Sequence, residues 1–187
     1  MKASFVRKLL GFFGWKSEYI QPTDKKCVII SAPHTSNMDF VIGWLYFQAL
    51  DVPAKFLIKK ELFFWPLGPI LKAMGALPVD RSKAAVLTDQ LIEEFKKRDE
   101  FYLLVTPEGS RSKRPVWKRG FYFIAQKAGV PIYLGKLDYG KKLMITGKRC
   151  VPTGDVKADM REIKRDYIGI TAKHPENFSI GDAADEK

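Results

Sequence analysis

The sequence predicts an α/β fold, a mainly parallel sheet flanked by helices. Two patterns carry that prediction. Short apolar runs at residues 27–31, 54–59, 101–105 and 130–137 read as strands, and between them lie segments whose apolar residues return at helical spacing. Strand and helix alternate through most of the chain, which parallel pairing requires of its crossovers. A length of 187 residues fits one domain, and no repeat or low-complexity tract divides it. A single domain over residues 1–187 is therefore expected.

Residues 1–16 open with Phe5, Val6, Leu9, Leu10, Phe12, Phe13 and Trp15 largely on one helical face and Lys2, Arg7, Lys8 and Lys16 elsewhere. The run is too short to span a bilayer, which takes about twenty apolar residues. A short amphipathic helix in a membrane interface and a helix packed on the domain both need this pattern. Residues 17–26 read as a polar connector. The strand at 27–31 is ended by Pro33, and Ser36 or Asn37 can cap the apolar helix that follows to Leu50. After a second strand at 54–59, residues 63–71 hold Phe63, Phe64 and Trp65 with two prolines and a glycine. Such a stretch is too irregular for one straight helix, and an apolar surface near a membrane or acyl chain is favoured over plain core.

Residues 75–81 read as strand into loop, and Ser82 caps a helix to about Arg98 with Val86, Leu87, Leu91 and Phe95 inward. The strand at 101–105 delivers Thr106-Pro107-Glu108-Gly109-Ser110-Arg111 at its end. A basic loop with Lys113, Arg114, Lys118 and Arg119 leads into a helix over 120–127 that Gly129 stops. A strand over 130–137 then pairs with 143–145 as an edge hairpin, and an amphipathic helix over 155–167 closes the fold with Val156, Met160, Ile163 and Tyr167 inward. Residues 173–187 read as a loose polar tail.

Composition narrows the function. Lysine and arginine number 32 against 21 acidic residues, a net charge of +11 that implies an anionic partner: nucleic acid, an anionic membrane or a phosphorylated substrate. Cys27 and Cys150 stand alone, with no Cys/His cluster, so no metal site is expected and both read as free thiols in a reducing, cytoplasmic setting.

The chemistry concentrates in Pro33-His34-Thr35-Ser36-Asn37-Met38-Asp39. On one regular helix, residues 34 and 39 would point about 140° apart, but a loop ahead of the helix lets His34 fold back over the first turn. Asp39 can then fix the tautomer of His34 and leave the other ring nitrogen to take a proton from a hydroxyl. A capping or hydrogen-bonded loop pair is the alternative for the same residues.

This stretch, followed in order by residues 75–81, by Pro107-Glu108-Gly109-Ser110-Arg111 and by Val130-Pro131-Ile132, resembles the four motif blocks of the glycerolipid acyltransferases, best known as lysophosphatidic acid acyltransferases. The resemblance runs from about residue 27 to residue 135 and implies that fold and an acyl transfer from a thioester to an alcohol. It implies that His34 is the base and Asp39 its orienting acid. Arg81 corresponds to an arginine that binds the acceptor phosphate; Glu108 and Gly109 shape the acceptor site, with Ser110 and Arg111 adding a hydroxyl and a cation and Lys60 adding charge. Without the family, Arg81 reads as a surface ion pair with Asp80, Glu108 as a solvated loop residue and Lys60 as a basic surface residue. No cofactor is implied beyond the acyl-CoA or acyl-ACP co-substrate. The implied partners are a lysophospholipid acceptor, the acyl thioester donor and an anionic membrane surface, at the inner face of the cell membrane.

Two features depart from the family. A two-helix docking region often precedes the first block, whereas 33 residues precede His34, so docking would fall to the short basic helix and residues 63–71. Thr106 stands where phenylalanine is frequent. Other readings are an acyltransferase acting on a different lysolipid such as an acylated amino acid, a thioesterase or serine hydrolase, and a nucleic-acid-binding module. No Gly-x-Ser-x-Gly elbow supports the hydrolase, and the aromatics are not interleaved with Arg and Lys as nucleic-acid surfaces require.

Overall fold

The computed structural model describes residues 2–18, 21–80 and 84–181. In chain order the elements are α1 (Ala3–Phe12), β1 (Lys16–Ser17), β2 (Lys26–Ala32), α2 (Asn37–Leu50), β3 (Lys55–Lys59), α3 (Leu67–Ala73), β4 (Ala76–Val79), α4 (Ala84–Lys97), β5 (Phe101–Val105), α5 (Gly120–Ala128), β6 (Ile132–Asp138), β7 (Leu143–Cys150) and α6 (Val156–Arg165). They build one seven-stranded sheet in the order β1-β7-β6-β2-β5-β3-β4. The five strands from β6 to β4 are mutually parallel, and β7 returns antiparallel to β6.

The apolar alternation within β2 explains the two layers of helices. Cys27 and Ile29 face a core completed by Val6 and Leu10 of α1 and by Ile42, Tyr46 and Phe47 of α2. Val28, Ile30 and Ala32 face the opposite core, with Leu91 and Phe95 of α4, Phe121 and Ile124 of α5, and Met160 and Ile163 of α6. A strand buried on both faces reads as a continuous apolar run, as β2 does. Each fully buried Ile or Leu contributes about 1.5–3 kcal/mol to folding, so this strand is a main source of stability.

Helix stops follow local chemistry. Gly129 takes a left-handed φ of +66° just past α5, a conformation that costs glycine little. The Asp155 side chain accepts the Ala158 N–H and caps α6.

Helix α1 packs on the domain along one side and keeps apolar residues exposed on another. Val6 and Leu10 are buried, while Phe5, Phe12 and Phe13 remain exposed, Phe12 at 84%. Residues 5, 9, 12 and 13 follow helical spacing, so the outward apolar residues form a stripe of their own. Within the irregular segment, Phe64 and Trp65 are also exposed, Trp65 at 84%. Among the described residues no helix is long and apolar enough to cross a membrane.

Several elements differ from expectation for physical reasons. The segment at 143–145 is not an edge: β7 runs to Cys150, and Lys16–Ser17 pairs outside it. Trp15 is buried and the Lys16 N–H donates to the Lys142 carbonyl, so backbone pairing makes a strand where the side chains show no pattern. Val86 lies outward because Leu87, Leu91 and Phe95 define the inner stripe of α4. The expected cap at Ser82 lies outside the described residues.

Residues 173–181 are not a loose tail. Phe178 and Ile180 pack on the second core, the buried Trp117 indole donates to the Ser179 carbonyl at 2.9 Å, and the His174 N–H donates to Thr35 Oγ1 at 3.2 Å. Replacing Phe178 and Ile180 together by Ser should lower the thermal unfolding midpoint by several degrees, since a domain of this size moves about 2–4 °C per kcal/mol. An unchanged midpoint by circular dichroism would mean that the segment is undocked in solution.

Candidate active site at the carboxyl edge of the sheet

The parallel strands bring their carboxyl ends to one edge. Register pairs Ala32 of β2 with Lys136 of β6, and Ile30 of β2 with Val105 of β5. His34, Tyr139 and Glu108 therefore follow β2, β6 and β5 by two, one and three residues, at about the same level. This is where open α/β sheets hold their ligands.

The turn from β2 into α2 is set by a reciprocal cap. Ser36 Oγ accepts the Met38 N–H at 3.1 Å, and Asp39 Oδ2 reaches back to the Ser36 N–H at 2.7 Å. Asp39 Oδ2 also accepts the Thr35 N–H at 2.6 Å, and Asp39 Oδ1 accepts the Tyr139 hydroxyl at 2.7 Å. Burial pushes the Asp39 carboxyl pKa up, but the hydrogen bonds from His34, Tyr139, Ser36 and Thr35 outweigh it and leave the pKa below the ordinary value. Asp39 is thus an ionised carboxylate whose side chain is only 4% exposed.

His34 precedes the capping residue, so its ring does fold back over the first turn of α2. Its Nδ1 lies 3.5 Å from Asp39 Oδ2, the long limit of a hydrogen bond. With Nδ1 facing the carboxylate, Nε2 is the nitrogen left for chemistry, on a side chain that is 22% exposed.

Glu108 braces the same turn from β5. Its Oε2 accepts the His34 N–H at 2.8 Å, while Oε1 is buried without a hydrogen-bond partner among the described residues. Burial, assisted by the charge of Asp39 and opposed by the His34 N–H, pushes its pKa up to about 8. Glu108 is therefore largely neutral near pH 7. Gly109 adopts φ +67°, and a Cβ there would fall 2.7 Å from Cε of Lys118. The lysine stem lies across the glycine and places a second cation beside the turn.

The remaining expected residues separate into those the fold brings near and those it does not. Arg111 donates to Asn37 Oδ1 at the first residue of α2, which sets a guanidinium beside the His34 turn. Ser110 is engaged within its own loop, donating to the Ser112 carbonyl and accepting from Arg114. Lys60 directly follows β3 and pairs at 2.6 Å with Asp80, which directly follows β4, so its charge is already matched. Arg81 lies outside the described residues. Sequence reasoning missed Tyr139 and named Thr35 and Lys118 only as members of the motif stretch and of the basic loop. Of the two expected caps, Ser36 or Asn37, the structure gives the role to Ser36, and the Ser36-x-x-Asp39 spacing is the signal that selects it; Tyr139 had only its place at a strand end.

The neutral state of Glu108 makes a stability prediction. The folded chain keeps this proton where the unfolded chain has lost it, so stability falls as pH rises from about 4.5 to about 8. Glu108→Gln should flatten that slope, with a difference on the order of 3–5 kcal/mol between the ends of the window. Denaturant titrations at pH 5 and 8.5 read it; parallel losses in both proteins would contradict the buried neutral acid.

Comparison with known proteins places the chain in a family. The Acyltransferase family profile matches residues 15–133. A chloroplastic 1-acyl-sn-glycerol-3-phosphate acyltransferase, BAT2 of Brassica napus, is 31% identical over 148 residues, covering 75% of this chain and 41% of that protein. The chain thus spans about two fifths of the length of this relative. The crystal structure of the 1-acyl-sn-glycerophosphate (LPA) acyltransferase PlsC from Thermotoga maritima shares the fold, with a TM-score of 0.55 at 18% identity, over 91% of this chain and 80% of that one. With more than half of its residues matched by the profile, including the His34 turn and the Glu108 loop, the chain belongs to the Acyltransferase family.

Proposed function

We propose that the protein is an O-acyltransferase that moves a fatty acyl group from an acyl-CoA or acyl-ACP thioester to the free hydroxyl of a lysophospholipid, turning lysophosphatidic acid into phosphatidic acid. The observation that carries the reading is the buried, ionised Asp39 carboxylate 3.5 Å from Nδ1 of a partly exposed His34. Family membership and the acyltransferase relative support it.

In this reading His34 Nε2 takes the hydroxyl proton as the acceptor oxygen attacks the thioester carbonyl. The tetrahedral intermediate collapses with loss of the thiolate, which recovers the proton from the imidazolium. The products are an ester and a free thiol, and no acyl-enzyme is needed. Asp39 orients the ring and stabilises its cationic form. Arg111 and Lys118, and Arg81 by family correspondence, supply cations for the anionic head of the acceptor, and a guanidinium fork suits a phosphate.

The acceptor is a lipid, so the enzyme works at a surface. The exposed Phe5, Phe12 and Phe13 of α1 and the exposed Phe64 and Trp65 are apolar groups for such a surface, and the net charge of +11 favours an anionic one. This supports peripheral attachment to the cytoplasmic leaflet.

A labelled acyl donor with a panel of lysolipid acceptors tests the reaction. His34→Ala should lower turnover about 10²–10⁴-fold with its unfolding midpoint retained; full activity would end the assignment of the base. Phe12→Ser with Trp65→Ser should weaken binding to phosphatidylglycerol vesicles about tenfold or more in a sedimentation assay, and unchanged binding would remove these side chains from the docking surface.

A further inference from the structure

The end of β6 carries a group that neither the motif blocks nor the charge pattern singles out. Tyr139 follows Asp138 directly, and its hydroxyl donates to Asp39 Oδ1 at 2.7 Å, the carboxylate oxygen that no backbone N–H occupies. The oxygen opposite, Oδ2, is the one that faces His34. With Oδ1 held by the phenol and Oδ2 by two backbone N–H groups, rotation of the carboxylate is blocked.

The phenol is itself well seated. The Tyr139 N–H donates to the Thr171 carbonyl at 2.8 Å, and a Cβ on the next residue, Gly140, would come within 2.8 Å of Thr171 Oγ1, so this turn is closely packed. Trp15 meets the ring edge-on with centroids 5.1 Å apart. Trp15 is buried immediately after α1, and its N–H donates to the Leu10 carbonyl of that helix. A line of contacts thus runs from α1 through Trp15 and Tyr139 to Asp39. Burial, and then the hydrogen bond to and charge of Asp39, drive the phenol pKa well up, so it remains a donor.

We propose that Tyr139 is a positioning residue for acyl transfer, its hydroxyl fixing the Asp39 carboxylate so that Oδ2 holds the His34 ring in the orientation of a base. It touches neither substrate. The inference rests on the reading of His34 and Asp39 as a base pair and extends it to a third side chain one hundred residues from Asp39 in sequence.

Tyr139→Phe keeps the ring against Trp15 and removes only the hydroxyl. In steady-state assays with lysophosphatidic acid and an acyl-CoA, it should lower kcat about tenfold and leave both KM values within about twofold. On an Asp39→Asn background the same change should have little further effect, because the group it holds has already been altered. An unchanged kcat, a raised acceptor KM at full kcat, or the same fold-loss on the Asp39→Asn background would overturn the proposal. A Tyr139→Phe protein whose unfolding midpoint falls while kcat holds would give the hydroxyl a purely structural role and overturn it too. His34→Ala run alongside separates the two readings: activity there removes the base itself, whereas an inactive His34→Ala with a fully active Tyr139→Phe removes only the tyrosine.

Discussion

A carboxylate taken almost wholly out of water at the start of a helix is costly unless donors surround it, and the site is organised around meeting that need at Asp39. Two backbone N–H groups from the turn and one phenol do so, and His34 Nδ1 completes the ring of groups around it. Because Asp39 occupies the third position of α2, the hydrogen bond that caps the helix is also the one that fixes the turn carrying His34. In the proposed reaction, stability and chemistry share this one interaction. A negative charge in the first turn gains further from the helix dipole, which favours the ionised state that a tautomer-fixing acid must keep.

A second carboxyl in the same neighbourhood is treated oppositely. Glu108 accepts one N–H, from His34, and its other oxygen is buried without a partner among the described residues, so burial prevails and the group holds its proton near neutrality. Two acids on one turn thus differ in charge because they differ in the number of donors that reach them. The arrangement sets the ionised Asp39 beside the ring, with Glu108 bracing the backbone as a neutral acid.

Much of the architecture was legible in sequence because buried parallel strands are apolar on consecutive positions and helices are not. Strands β2, β5 and β6 stand out for that reason, and with them the strand ends that carry His34 and Glu108. Pairing that depends on backbone alone was not legible: Lys16 and Ser17 join β7 with polar side chains. The tail from residue 173 is polar on average, and averages conceal Phe178 and Ile180, the two anchors that fasten it. Tyr139 was invisible to motif reasoning because its partner is a hundred residues away and only the register of β6 beside β2 brings them together. Lys60 shows the reverse: expected to lend charge to the acceptor site, it meets Asp80 just past the ends of neighbouring strands.

The central claim is that Asp39 holds the proton of the neutral His34 ring on Nδ1 and leaves Nε2 bare. The chain has two histidines, so nitrogen chemical shifts of ¹⁵N-labelled protein, assigned with His34→Ala, read the tautomer directly. The account predicts a protonated Nδ1 and an unprotonated Nε2 at His34 when the ring is neutral. A ring protonated on Nε2 instead would contradict it.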